Sequence, residues 1–289
     1  MIIPIKTLHP KDFPRALCEI PEPPQTLNLL GKLPKEDALW LSVVGSRKYT
    51  SYGEEVCEKI ISELVGQNVV IVSGLALGID AIAHNAALNA GLATVAIPGS
   101  GLGEKVLYPR SHLGLARKIL EKGGALLSEF PEDFKATPYT FPQRNRLMAG
   151  ISRGTLIIEA GEKSGTLITA RLALDYNRDV FVIPASIFSR NSIGSNRLIK
   201  QGATPITSGV DILEHYGLAP ESGSMNQELK IKECSEEEKQ ILVLLNEPLP
   251  KDELLRKLQM PIHEINALLT AMEIKGLIKE TMGEIRVGI

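Results

Sequence analysis

Residues 141–170 read FPQRNRLMAGISRGTLIIEAGEKSGTLITA, and the order of textures inside this stretch decides the fold. The segment RLMAGIS leads into a short apolar run, TLIIEA, which ends in GEKSGT and opens again into LITA. A continuous apolar run between turn signals is the pattern of a strand buried on both faces. A strand that passes through a glycine turn into a helix is one unit of a parallel sheet with helical crossovers. The same stretch places Arg144, Arg146, Arg153 and Lys163 around that strand.

Working outward, the strand texture recurs in LWLSVVG (from Leu39), VVIVSG, ATVAIPG, ALLSEF and DVFVIPA, each separated by a longer amphipathic segment. Six such runs predict an α/β fold: an extended Rossmann-like, doubly wound, mostly parallel sheet over residues 37–218. Several of the runs end in glycine or small polar residues, and ligands of such sheets bind outside the carboxyl ends of the strands. Residues 1–36 hold seven prolines and read as an extended lead-in with at most short turns or a helical stub. After the short helix VDILEHYGL, the small-polar segment at 219–232 reads as a linker. Residues 233–289 give three amphipathic helices, SEEEKQILVLLN, KDELLRKLQ and PIHEINALLTAMEIKG, then a hairpin, GLIKETMGEIRVGI. Three helices and a wing predict a winged-helix domain.

With 289 residues, 44% hydrophobic and 23% charged, the chain is long and apolar enough for a large core, which sets aside disordered and fibrous classes. A net charge of −2 means that any polyanion surface must be a local patch. From Glu221 onward 9 basic residues face 13 acidic ones, so the C-terminal part is the acidic one. Cys18, Cys57 and Cys234 form no CxxC or Cys/His pattern, so no disulfide scaffold and no metal site are expected. MIIPIKTLHPKD lacks a signal-peptide core and no apolar run reaches membrane-span length, so a soluble, cytoplasmic protein without a membrane partner is expected.

GEKSGTLITA follows a strand and opens a helix, with Ser164 and Thr166 as caps and Gly165 freeing the backbone, a helix start suited to phosphate. The Walker order GxxxxGK[ST] does not occur in the sequence, so ATP hydrolysis has no support. GSGLG is not GxGxxG, and VVIVSG runs into Leu75 and Ala76 where a ribose-binding acid would stand, so no dinucleotide or other cofactor is expected. Arg144 and Arg146 offer guanidinium forks for phosphate oxygens, with pairing to Glu129, Asp133 or Glu159 as the structural alternative for one of them. His84 lies four residues after Asp80 on one helical face and reads as a packed or capping histidine. Tyr108, Tyr139 and Phe141 flank the glycine and arginine loops and can either stack on bases or pack. In the third C-terminal helix Glu264, Glu273 and the single Lys275 are poor chemistry for a phosphate backbone, which points to a protein-contact or regulatory module able to take a protein partner, with weak DNA binding as the minor alternative.

Taken together, VVGSR, SGLALGIDAIAH, GSGL, LLSEFP, FPQRNR, IEAGEKSGTLITA and SNRLIKQGA resemble the DprA (Smf) family in order and spacing from about Leu39 to Gly217. The resemblance implies a non-enzymatic single-stranded DNA-binding protein that dimerises, protects incoming strands and loads the RecA recombinase during natural transformation. Carried over by position, the implied strand-binding residues are Arg47, Gly74, Gly78, Ser100, Gly101, Arg144, Arg146, Lys163, Ser164 and Gly165. Arg153, Arg197, Lys200, Tyr108 and Phe141 form a second tier. Ile206, Ile212, Leu213 and Tyr216 are the candidate dimer patch, or equally pack on the sheet. The chain departs from the family pattern at Gly103, where GLD is usual, and at Ala185, where VPG is usual; both touch the pocket rim. The alternative is a nucleotide-binding Rossmann enzyme of the phosphoribohydrolase type, but Val106 stands where its catalytic glutamate would be.

Overall fold

A computed structural model of the chain describes residues 4–218, 234–258, 260–281 and 283–287, grouped as two compact units, 1–218 and 219–289. The expected linker at 219–232 lies outside the described residues.

In the first unit the six apolar runs are strands β3 (Leu39–Val44), β4 (Val69–Ser73), β5 (Ala93–Ala96), β6 (Ala125–Ser128), β7 (Gly154–Ile157) and β8 (Asp179–Val182). All six are buried along their whole length apart from at most their first residue, and neighbours among them pair in parallel. Short β9 (Thr204–Pro205) extends the sheet beside β8. The order runs β6-β5-β4-β3-β7-β8-β9, so the chain lays strands outward on one side of β3 and then returns to build on the other. The switch point falls between β3 and β7, where loops diverge and leave a crevice.

The lead-in is a correction. Residues 6–31 contribute β1 (Lys6–Leu8) and β2 (Leu27–Gly31), which join the sheet antiparallel beyond β6. Phe13, Leu17, Ile20, Leu27 and Leu29 sit in the main core, and helix α1 (Arg15–Cys18) is the expected stub. The prolines bound these short pieces rather than forbidding them. They leave β2 free to form between Pro24 and Pro34.

Helices α2 (Ser51–Ser62), α3 (Ile79–Asn89), α4 (Leu113–Glu121), α5 (Thr140–Ile151), α6 (Thr166–Asp175), α7 (Ile193–Lys200) and α8 (Gly209–His215) make the crossovers and cover the sheet. Their core faces are rich in Ala, Ile and Leu, as in Ala83, Ala87, Ala170 and Ala173, which let helices lie close on the strands. The second unit holds α9 (Glu236–Leu244), α10 (Lys251–Lys257), α11 (Ile262–Ile274) and a sheet of β10 (Leu249–Pro250), β12 (Glu284–Val287) and β11 (Ile278–Thr281), in that order, around Ile241, Leu254, Ile265, Met272 and Ile285. That is the expected winged helix. No helix among the described residues is long and apolar enough to cross a membrane.

Candidate functional site

At the β3/β7 switch point lies a cleft of about 740 Å³. Its walls come from the loop after β3 (Gly45 to Lys48), the loop after β7 with the start of α6 (Gly161 to Thr169) and the first two turns of α5. Arg47, Lys48 and Lys163 are exposed on these walls. Among the described residues no carboxylate forms an ion pair with any of them.

The order of the glycine turn explains its shape. Ser164 accepts from the Thr166 amide through its hydroxyl (3.2 Å) and from the Leu167 amide through its carbonyl (3.1 Å). Gly165 has open space where a side chain would stand. Much of the first-turn amide capacity of α6 is therefore satisfied within the turn, and positive potential here comes chiefly from Lys163 and the helix dipole. Glu162 meets Arg197 at 3.4 Å, which partly neutralises that second-tier residue beside the cleft, while Lys200 does not line it.

Two residues apart on one helix, Arg144 and Arg146 face different ways. Arg144 is 3% exposed on the cleft floor and donates Nη1 to the carbonyls of Gly74 and Ile97. Burial lowers its pKa to about 10, and the nearby Asp80 carboxylate raises it. Asp80 is itself buried and accepts from the amides of Gly74 (3.1 Å) and Ala76 (3.4 Å), so it shapes the loop after β4 from inside. Burial pushes this carboxyl up, and Arg144 with the two amides pulls it back. Arg144 is thus first a keystone between Asp80 and two strand ends, rather than a free phosphate arm. Arg146 does not line the cleft; it pairs with Glu129 and bonds the Glu22 carbonyl. The expected structural pairing with Glu129 belongs to this arginine. Glu159, another partner considered, instead accepts from the Thr50 amide and hydroxyl (3.0 and 2.5 Å) and fixes the start of α2.

The glycines act by making room. Gly74 lies against Arg144 and Asp80, and a Cβ there would collide with both. Gly78, at φ +83°, brings α3 under the 46–47 backbone, where a Cβ would fall 2.7 Å from Arg47 Cα. Leu75 between them adopts φ +57° and is held by full burial and by His112, whose Nδ1 bonds the Leu75 carbonyl at 2.8 Å. Such a backbone costs about 1–3 kcal/mol and persists only where packing enforces it. Ser100 and Gly101 do not line the cleft: Ser100 is buried, with its hydroxyl accepting from the Tyr108 amide, and Gly101 packs on the Pro131 carbonyl. Gly103 similarly meets the Glu132 carbonyl, where a Cβ would stand 2.8 Å away, so this chain's departure from GLD fits a close loop contact.

An aromatic wall stands at the β4/β5 side. Phe141 lies 5.6 Å from the Tyr108 ring, and the Arg47 guanidinium sits 5.1 Å over Phe141. Tyr108 is 46% exposed.

Other expectations are corrected by position. Arg153 precedes β7, at the edge of the sheet opposite the cleft, and lies 4.6 Å over the Tyr216 ring. Ile206, Ile212 and Leu213 are at most 1% exposed and pack within the unit, and Tyr216 donates to Asp179 at 2.8 Å, so these four form no free patch. His84 is fully buried with Nδ1 at 2.7 Å from the Thr94 hydroxyl, a packed histidine whose pKa burial lowers to about 3. The sequence reading missed Lys48 and Asn191 as cleft residues and Asp80 as an organiser; Lys48 was recoverable as the cation next to Arg47 at a strand end. In the winged helix Lys275, which caps the end of α11, bonds Glu238 at 2.7 Å and is engaged within the domain.

A Rossmann-type sheet with a cationic, aromatic-flanked cleft at its switch point, followed in the chain by a winged helix, is the architecture of the DNA-processing class of proteins. The chain belongs to the DNA recombination-mediator protein A family, which it matches over residues 5–217, and residues 228–284 match the DprA winged helix domain. Protein Smf of Escherichia coli (strain K12) is 37% identical over 281 residues, covering 94% of this chain and 74% of that one. The solved DNA processing protein A from Streptococcus pneumoniae is 38% identical, with a TM-score of 0.66, covering 73% of this chain and 74% of that one. A Helicobacter pylori DNA processing protein A, whose structure is described as giving insight into its single-stranded DNA binding mode, is 30% identical, with a TM-score of 0.65, covering 74% and 96%.

Proposed function

We propose that the chain binds single-stranded DNA in the β3/β7 cleft, protects the strand and hands it to a RecA-type recombinase during DNA uptake, without a chemical step of its own. The observation that carries this reading is the trio Arg47, Lys48 and Lys163, which form no ion pair among the described residues, facing one cleft beside Phe141 and the exposed Tyr108. Unpaired cations suit phosphates, and ring faces accept any base, a combination that binds strands with little sequence preference. The single-strand binding described for the H. pylori relative supports the same reading.

Two chains acting as a dimer belong to this proposal, through a surface other than the buried Ile206, Ile212 and Leu213; light scattering at micromolar concentration checks it, and a strict monomer would remove that part. Recombinase loading is tested by adding the protein to RecA on oligonucleotides already coated with single-strand-binding protein. Faster filament formation is expected, and no acceleration by a protein that binds the strand would confine the function to binding. Release of base from a nucleoside monophosphate, followed by chromatography, would instead establish an enzyme.

A further inference from the structure

The loop after β8, whose Asn191 lines the cleft, carries the most exposed aromatic side chain among the described residues. Phe188 is 92% exposed and its neighbour Ile187 81%. The other described phenylalanines are at most 37% exposed, and among the described tyrosines only Tyr139, at 85%, is comparably exposed.

The loop is built rather than loose. Tyr52 donates its hydroxyl to the Pro184 carbonyl (2.8 Å), Asn196 its amide to Ala185 (3.0 Å), and Ser192 its hydroxyl to Ser186 and Ser189 (2.5 and 2.8 Å). Asn191 donates to the Lys48 carbonyl at 2.6 Å and lines the cleft itself. The loop's shoulder is therefore cleft wall, while its tip holds two apolar side chains in solvent. Arg190, exposed two residues on, adds a cation for which no carboxylate partner is found among the described residues. In the sheet β8 lies beyond β7, whereas Tyr108 and Phe141 flank the loops of β4 and β5, so the two aromatic positions lie on opposite sides of the β3/β7 switch point.

We infer that Phe188, with Ile187 beside it, is a base-contacting residue: it stacks on a nucleobase of the strand whose phosphates the cleft holds, on the bank opposite Phe141. An aromatic face next to cations, on a fixed loop, is the arrangement that grips single strands irrespective of sequence. The inference rests on the single-strand reading above.

The test is fluorescence anisotropy of the full chain with labelled oligothymidine and with an abasic oligonucleotide of equal length, for wild type, Phe188→Ala and Phe188→Trp. Phe188→Ala should weaken oligothymidine binding on the order of tenfold and leave the abasic strand unchanged. Phe188→Trp should keep the affinity and show emission quenched by oligothymidine, against the buried Trp40 background. Wild-type binding that Phe188→Ala leaves intact, or weakens equally for both strands, overturns the stacking role while sparing the cleft. A drop in mass by light scattering that accompanies the loss assigns Phe188 to a contact between copies and also overturns it. Absence of single-strand binding by the wild type would remove the function reading itself, a distinguishable result.

Discussion

Arg144→Ala should damage stability more than any direct loss of a ligand contact would suggest. The substitution removes donors to the Gly74 and Ile97 carbonyls and takes away the cation that faces Asp80, all of it below the surface. Removing one partner of a buried charge arrangement costs about 3–5 kcal/mol, because the remaining charge stays uncompensated. For a unit of this size each kcal/mol lowers the melting temperature by about 2–4 °C, so a fall of roughly 6–20 °C is expected. Lys163→Ala is the control: Lys163 is exposed with no ion partner among the described residues, so its loss should move stability by no more than ~0.5 kcal/mol while weakening strand binding. Differential scanning calorimetry of both variants, with anisotropy on the same samples, separates the two effects. If Arg144→Ala melts within ~1 °C of wild type and still loses affinity, the keystone assignment is wrong and Arg144 is a ligand arm.

Gly78→Ala should both destabilise the first unit by more than ~1 kcal/mol and weaken strand binding, since the new Cβ must displace the 46–47 backbone at a positive φ; urea melts and anisotropy check it. His84 titrates near 3 when folded and near 6.5 when unfolded, so the unfolded chain binds the extra proton between these values and stability falls as pH falls through that window. The slope His84 contributes should approach about 1.4 kcal/mol per pH unit in its middle, and His84→Asn should remove that contribution. Lys275→Gln should lower the melting of the winged-helix unit by stranding Glu238, with no change in single-strand affinity; calorimetry and anisotropy read the two.

The sheet was legible because strands buried on both faces must be apolar without interruption, and β3 to β8 are. The antiparallel β1 and β2 were hidden because they are short and proline-flanked, and β2 alternates Leu27 and Leu29 inward with Asn28 and Leu30, a pattern too brief to separate from a loop. The cleft's location was readable from the glycine-rich strand ends, but its division of labour was not. Arg144 and Arg146 look equivalent in RNR, yet two residues of helix turn them about 200° apart, one toward the cleft floor and one toward Glu129. Ser100 and Gly101 sit in a glycine motif whose purpose here is close packing on residues 131 and 132, which only the fold reveals. The buried fate of Ile206, Ile212 and Leu213 likewise depends on where α8 returns to the sheet.

The most direct test of the account is the salt dependence of single-strand affinity, measured by anisotropy of labelled oligothymidine for wild type and for Arg47→Ala/Lys163→Ala. Each phosphate neutralised contributes about −0.7 to the slope of log K against log salt, so the three free cleft cations predict a slope near −2 and the double variant one near −0.7. Weaker, shallower binding by the double variant would establish the cleft as the strand site. A slope unchanged by the two substitutions would place the strand elsewhere and contradict the account.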